Sequence, residues 1–218
     1  MANMAGASRR QDHFEASIDS FVDRLSPQAR SLWAKSGDET GHLSLAQHLI
    51  DSACVAAVVY DTWVSNSLKE NLAQNLKLSV EEVRRLYIWL AGLHDLGKGT
   101  LTFLGQLDMK PEFRHLLSRV ADAGLPIVMS ESEANRKSMP HSVSSGLILR
   151  NWLERKGYSR RLANWLSSTV DAHHGVASGE ERDAINNVLS EYPPEWRAVH
   201  DEIIDAMTET VGVHDVLA

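Results

Sequence analysis

Helical spacing dominates this sequence. Phe14, Ile18, Phe21, Val22 and Leu25 recur three or four residues apart, as do Val83, Leu86, Tyr87, Leu90 and Leu93, and again Trp196, Val199, Ile203, Ile204 and Met207. Residues at those intervals share one face of a helix, whereas a strand needs alternation with a period of two. No credible alternating run interrupts the pattern, so the fold class it dictates is all-α, a helical bundle around one core. With 218 residues, 43% of them hydrophobic, the chain has enough apolar surface to bury that core without disulfides. Residues 11–218 are expected to form one domain. Residues Met1 to Arg10, small and polar with a second methionine at position 4, read as a flexible arm or expression remnant outside it.

Local signals divide the chain further. Ser26-Pro27 caps and opens a short helix through Trp33, and Ser36 to Gly41 reads as a loop. From Leu43 to about Trp63 the residues are apolar nearly all round, which predicts a central helix buried on several sides. Ser79 followed by Glu82 is a capping-box signature, and the helix it starts should reach about Leu96 before Gly97 and Gly99 end it. Lys110 to Met139 reads as a flexible insertion with one short helix near Phe113 to Ala121. Helices are expected at His141 to Leu153 and Ser159 to Ala172, parted by Lys156-Gly157. A short one at Glu181 to Leu189 should stop at Pro193-Pro194, ahead of the last amphipathic helix.

Composition narrows the setting. The lone cysteine, Cys54, can form no intramolecular bridge and suits a reducing compartment, so the expected location is cytoplasmic. No apolar run approaches the roughly 18 residues of a membrane span, and no secretory leader is evident. A formal charge of −7 argues against a broad nucleic-acid-coating surface but leaves room for phosphate capture by a local basic face or a bound metal.

The chain has ten histidines, and their positions matter more than their number. His94 and Asp95 end a strongly patterned helix just before Gly97-Lys98-Gly99, where both side chains can turn into one cavity. Imidazole supplies neutral nitrogen ligands to a transition metal, and a carboxylate can bridge two cations. Lys98, three residues past Asp95, can neutralise a phosphate oxygen or can simply be a solvated lysine at a helix end. A bare His-Asp pair is weak evidence, as His214-Asp215 illustrates. His173-His174 before Gly175 can present two nitrogens to one metal or to two. His48 is either a ligand or a structural histidine paired with Asp51 one turn away. His141, after Pro140, fits a ligand and an exposed cap equally. His13, His42, His115 and His200 read as surface or core residues, with His42 the one to watch.

Five segments together resemble the HD nuclease domain of the CRISPR-associated type I (I-E-like) helicase-nuclease, within the HD superfamily of metal-dependent phosphohydrolases. They are Leu32-Trp33-Ala34-Lys35-Ser36, His48-Leu49-Ile50-Asp51-Ser52-Ala53, Leu90 to Lys98 with Thr100 and Phe103, Pro140-His141-Ser142, and Asp171-Ala172-His173-His174-Gly175. The resemblance implies an HD-domain helical bundle with His48, His94, Asp95, His141, His173 and His174 as metal ligands, and with His94, Asp95 and Lys98 at the reacting centre. It also implies a dinuclear manganese, nickel, iron or cobalt site cutting single-stranded DNA by endonuclease and exonuclease action. By resemblance, the partners are a helicase domain or subunit and a CRISPR surveillance complex that marks invading DNA. No P-loop motif occurs, so this chain is expected to be a nuclease subunit or an excised domain. Nothing after Gly175 matches the family's final aspartate ligand. The expectation is therefore a chain that ends before that ligand helix, with weak activity or single-metal occupancy; Asp201, Asp205 and Asp215 are available carboxylates without that context.

Three functions remain open from sequence: a single-stranded DNA nuclease, an HD phosphohydrolase of nucleotides, and a catalytically impaired HD docking module. The basic stretch Arg150, Arg155, Lys156, Arg160 and Arg161 can guide a strand, though a solvated helix face accounts for it more simply.

Overall fold

Serines start many of the helices. Ser26, Ser44, Ser65, Ser79 and Ser159 all stand in extended backbone, and each accepts a hydrogen bond from the amide three residues on. That bond satisfies one of the free amides of a first turn. The computed structural model describes residues 14, 17–36, 41–107, 111–128, 139–175 and 182–217. Met1 to Arg10, His13, most of the Ser36 to Gly41 loop and much of the Lys110 to Met139 insertion lie outside the described residues.

The elements follow in order: α1 over residues 17–24, α2 (Pro27–Ser31), β1 (Trp33–Ser36), β2 (His42–Ser44), α3 (Leu45–Thr62), α4 (Asn66–Leu76) and α5 (Val80–Leu93). A 3-10 turn (Leu96–Gly99) leads into α6 (Leu101–Leu104), α7 (Arg114–Asp122), α8 (His141–Arg155) and α9 (Arg160–Asp171). Further 3-10 turns lie at Gly105–Leu107, Pro111–Phe113 and Ala172–His174, the last of them preceding α10 (Arg182–Glu191), α11 (Pro194–Val211) and α12 (His214–Leu217). A contiguous apolar core runs from Phe14 to Leu217, with a satellite cluster at Tyr60, Ala73 and Val83. Among the described residues, no helix is long and apolar enough to cross a membrane.

The fold is helical, but periodicity missed a small antiparallel hairpin. β1 pairs with β2 as Trp33↔Ser44, Lys35↔Leu43 and Ser36↔His42, with an irregularity between Trp33 and Lys35. Strands of four and three residues are too short to display alternation. Trp33 therefore lies in β1, and α2 stops at Ser31, where Leu32 turns extended. Helix α4 also went unread. It is largely polar, buries only Ala73, and ends at Lys77 with a left-handed φ of 57°.

Burial corrects the expectation of a central α3. Leu49, Ile50 and Ala53 face the core, yet Val55 and Val58 are 63% and 60% exposed, so α3 is one-sided. The enclosed helix is α8, whose buried residues run from Ser142 through Leu149. Its small residues let neighbours approach: a Cβ on Gly146 would lie 2.7 Å from the Ser167 carbonyl of α9. Its hydroxyls are internally satisfied, Ser144 donating to the Pro140 carbonyl at 3.1 Å and Ser145 to the His141 carbonyl at 2.8 Å.

The capping box at Ser79 and Glu82 is present, but α5 ends at Leu93 and not at Leu96. The reason lies at Gly97, where a Cβ would fall 2.1 Å from the His141 carbonyl oxygen and 2.7 Å from the Ser145 nitrogen. The chain leaves the α-helix there to pass flush against the start of α8, and the Gly97 amide donates to Ser145 Oγ at 2.7 Å. At the far end Pro194 opens α11 instead of merely stopping α10. Replacing Gly97 with alanine is expected to cost at least about 1–3 kcal/mol by overpacking against backbone. Urea unfolding of the variant against wild type measures the loss.

Candidate metal centre

Four separate parts of the fold meet at Asp95, a carboxylate only 5% exposed. Helix α3 delivers His48, the end of α5 delivers His94, the start of α8 delivers His141, and the turn after α9 delivers His173 and His174. Asp95 Oδ2 lies 2.7 Å from His48 Nε2, 3.1 Å from His94 Nε2 and 2.7 Å from Lys98 Nζ. Its Oδ1 lies 3.1 Å from His141 Nε2 and 3.3 Å from His173 Nε2. His174 Nε2 stands 3.1 Å from His141 Nε2 and is the most open member of the cluster. All six metal ligands named from the sequence, and Lys98, thus come together.

Backbone carbonyls fix two of the rings from behind. A carbonyl oxygen can only accept, so His94 Nδ1–H donates to the Ala91 carbonyl at 2.7 Å and His173 Nδ1–H to the Val170 carbonyl at 2.8 Å. This leaves each Nε2 aimed at the carboxylate, the arrangement in which a metal-binding imidazole is oriented by its other nitrogen. Phe103 packs edge-on against the His141 ring, with centroids 5.7 Å apart.

Burial alone would raise the Asp95 pKa. Contacts with His141, His173, His48 and His94 outweigh that effect and hold the carboxyl far below the usual carboxylate range, so it stays ionised. Burial works to lower His173, but Asp95 and the Val170 carbonyl raise it overall. His174 is lowered by burial and by the neighbouring His173 and His141.

The donor set suits a divalent transition ion. Ligating atoms form two groups, His141–His173–His174 and His48–His94–Asp95, each with its atoms within 4.8 Å of one another. Asp95 Oδ1 and His173 Nε2 are both buried without a hydrogen-bond partner, although they face each other. A cation shared by the rings and the carboxylate satisfies these atoms, and mixed imidazole and carboxylate ligation is typical of such ions. Among the described residues, Asp95 is the one carboxylate in either group.

Other candidates are placed elsewhere. Asp51 does not orient His48; it accepts from Gln47 Nε2 at 2.7 Å, because it points outward on α3. His42 contacts Arg119 Nη1 at 2.6 Å, and His115 lies against the Glu112 carbonyl at 3.0 Å. Asp201 pairs with Arg155, Asp205 with Lys156 at 2.9 Å, and Asp215 with the buried Arg85 at 2.5 Å. Those pairs also neutralise part of the basic stretch, in keeping with a solvated face. In the His214-Asp215 pair, Asp215 is thus engaged by Arg85, away from the histidine cluster.

One histidine outside the cluster supports it from behind. His200, 4% exposed, donates from Nε2 to the Gly99 carbonyl at 2.7 Å and so pins the turn that carries Lys98. Its spacing from Trp196, Ile203 and Met207 on α11 was the available signal, since it shares their buried face.

A predominantly helical domain that closes four imidazoles on the aspartate of a helix-terminal His-Asp pair, with a fifth beside them, defines an HD-type fold with a candidate metal centre. The family model described as "Cas3, HD domain" matches residues 33–218. The CRISPR-associated endonuclease/helicase Cas3 of Thermus thermophilus is 31% identical over 185 residues, covering 84% of this chain and 19% of that protein. The crystal structure of the Thermus thermophilus Cas3 HD domain in the presence of Ni2+ superposes with a TM-score of 0.58 at 26% identity, covering 86% of this chain and 66% of that one. A crystal structure described as a CRISPR-associated protein gives a TM-score of 0.73 at 26% identity, over 89% of this chain and 20% of the other. The chain belongs to the Cas3 HD-domain family. It spans about a fifth of the length of the curated relatives it matches.

Burial holds the His200 pKa below its ordinary value of 6.5, against the opposing effect of the Gly99 hydrogen bond. The folded state therefore resists protonation there, and the stability this contributes is present above pH 6.5 and declines as pH falls below it. A His200→Gln variant, which keeps a nitrogen donor without a titrating ring, is expected to lose less thermal stability than wild type between neutral and acidic pH. Melting curves across that range measure the difference.

Proposed function

We propose that this chain is a metal-dependent phosphodiesterase that cuts single-stranded DNA during CRISPR interference against invading DNA. The observation that carries the reading is the convergence of His48, His94, His141 and His173 on the two oxygens of Asp95, with His174 beside His141 at the open edge. A structural histidine cluster has no need for so many nitrogens aimed at one carboxylate. Family membership supports the same reading, as does the name of the Thermus thermophilus relative, an endonuclease/helicase.

In this proposal His48, His94 and Asp95 hold one side of the centre, and His141, His173 and His174 the other, with Asp95 shared. A divalent ion of the manganese, nickel, iron or cobalt class supplies a lowered water pKa and charge stabilisation at the phosphate when bound. The protein's own part is positional. The Ala91 and Val170 carbonyls keep the His94 and His173 rings from turning, and Asp95 stays ionised across the working pH range. His174 lies on the open side, from which a phosphate reaches the centre. Lys98 adds a positive charge at the reacting edge. We further propose a cytoplasmic protein working with a helicase domain or subunit and a CRISPR surveillance complex.

Cleavage of labelled single-stranded DNA with Mn2+, Ni2+, Co2+ or Fe2+ tests this proposal, with a panel of nucleotides as the competing substrates. Asp95→Asn and His94→Ala are each expected to reduce cleavage by roughly a hundred-fold or more, since each removes a ligand whose ion stabilises transition-state charge. Undiminished cutting by either variant, or turnover confined to mononucleotides, would overturn the proposal.

A further inference from the structure

The centre already contains a cation of its own. Lys98 Nζ lies 2.7 Å from Asp95 Oδ2 and 3.4 Å from His48 Nε2, with a side chain only 15% exposed. Those two atoms, together with His94 Nε2, are the ligating atoms of one of the two metal-sized groups. Of the other group, His141 and His173 face Oδ1, whereas the Lys98 ammonium contacts Oδ2. The charge is therefore placed asymmetrically.

The local backbone explains how the lysine arrives there. Asp95 and Lys98 are three residues apart across a 3-10 turn closed by the Lys98 amide donating to the Asp95 carbonyl at 2.9 Å. Side chains at that spacing eclipse one another in 3-10 geometry, so the ammonium is carried directly over the carboxylate. The turn has little freedom to retreat, because Gly97 is seated against α8 and the Gly99 carbonyl is held by His200. Only a rotamer change of Lys98 itself can clear the position.

We infer that the Lys98 ammonium competes with a divalent ion for the His48–His94–Asp95 position, leaving His141–His173–His174 as the tight site. The inference rests on the metal-centre reading above. A divalent ion brought within a few ångströms of an ammonium in a partly buried site meets strong repulsion, and Oδ2 is already engaged by Lys98. Loading of the second position requires the lysine to swing away, and that swing frees its charge for a phosphate oxygen. Lys98 thus exchanges one anionic partner for another as the centre fills.

Manganese uptake by the full chain tests the inference without reference to DNA cutting. Binding stoichiometry and affinity come from calorimetric titration and elemental analysis, and electron paramagnetic resonance distinguishes isolated from exchange-coupled Mn2+. Wild type is expected to hold one tight, isolated ion. Lys98→Met, similar in length but uncharged, is expected to bind the second ion at least about ten-fold tighter than wild type does and to show the coupled signal. Lys98→Arg keeps the charge and is expected to resemble wild type. In a His141→Ala background, which weakens the other side, Lys98→Met is expected to restore uptake of an ion. Two equally tight ions in wild type, or an unchanged second affinity in Lys98→Met, would overturn the inference and leave the metal centre standing. Failure of every form to bind Mn2+ would overturn both.

Discussion

A carboxylate as enclosed as Asp95 cannot remain charged without partners, and the rest of the domain is arranged around supplying them. Transfer of an unpaired carboxylate into a protein interior costs several kcal/mol even after relaxation. Here that cost is offset by imidazoles from α3, α5, α8 and the turn after α9, plus one ammonium, all within 3.3 Å of its two oxygens. Helices α3, α5 and α8 also each bury an apolar face in the common core, and α9 does so just before its turn, so the packing that stabilises the fold is the packing that aims the rings. Site and core are one structure seen from two sides.

Distances of this kind depend on close backbone approach, and the chain achieves it with residues that carry no bulk. Gly97 lets the turn after α5 lie on the first residues of α8, and Gly146 lets α8 lie against α9. Ser144 and Ser145 fold their hydroxyls onto their own helix and so occupy the interior without unmet polar groups. His200 and Ser145 then hold the turn from opposite sides, through the Gly99 carbonyl and the Gly97 amide. The ligands are precise because the segments behind them have nowhere else to go.

Much of this was legible in the sequence, for reasons that differ between residues. The helix at Val80–Leu93 announces itself through Ser79, Glu82 and a clean apolar stripe, all of them local features. The candidate ligand set rests on the resemblance of five segments, since spacing alone leaves His48 and His141 open, and the structure brings those residues together. What escaped reading depended on tertiary context. The buried role of α8 is hidden because serine and glycine score as polar or neutral, and their value lies in what they allow a neighbour to do. Val55 and Val58 mislead in the opposite direction, being apolar residues that face outward. Asp51 sits at helical spacing from His48, but a contact one turn away loses to a carboxylate 47 residues distant that the fold brings to 2.7 Å. The hairpin at Trp33 to Ser44 is too short for its period to register.

The chain distance between the ligands has a consequence for how the protein comes to exist. His48 and His174 stand 126 residues apart (174 − 48), and the segments between them include α4, α7 and the whole of α8. Contacts of such long range are made late, after most of the loop-closure entropy has been overcome. A partly synthesised or partly folded chain therefore presents scattered imidazoles, and the cluster around Asp95 exists only once the segments through the turn after α9 have docked. The cluster is in this sense a product of completed tertiary packing and not of any one segment.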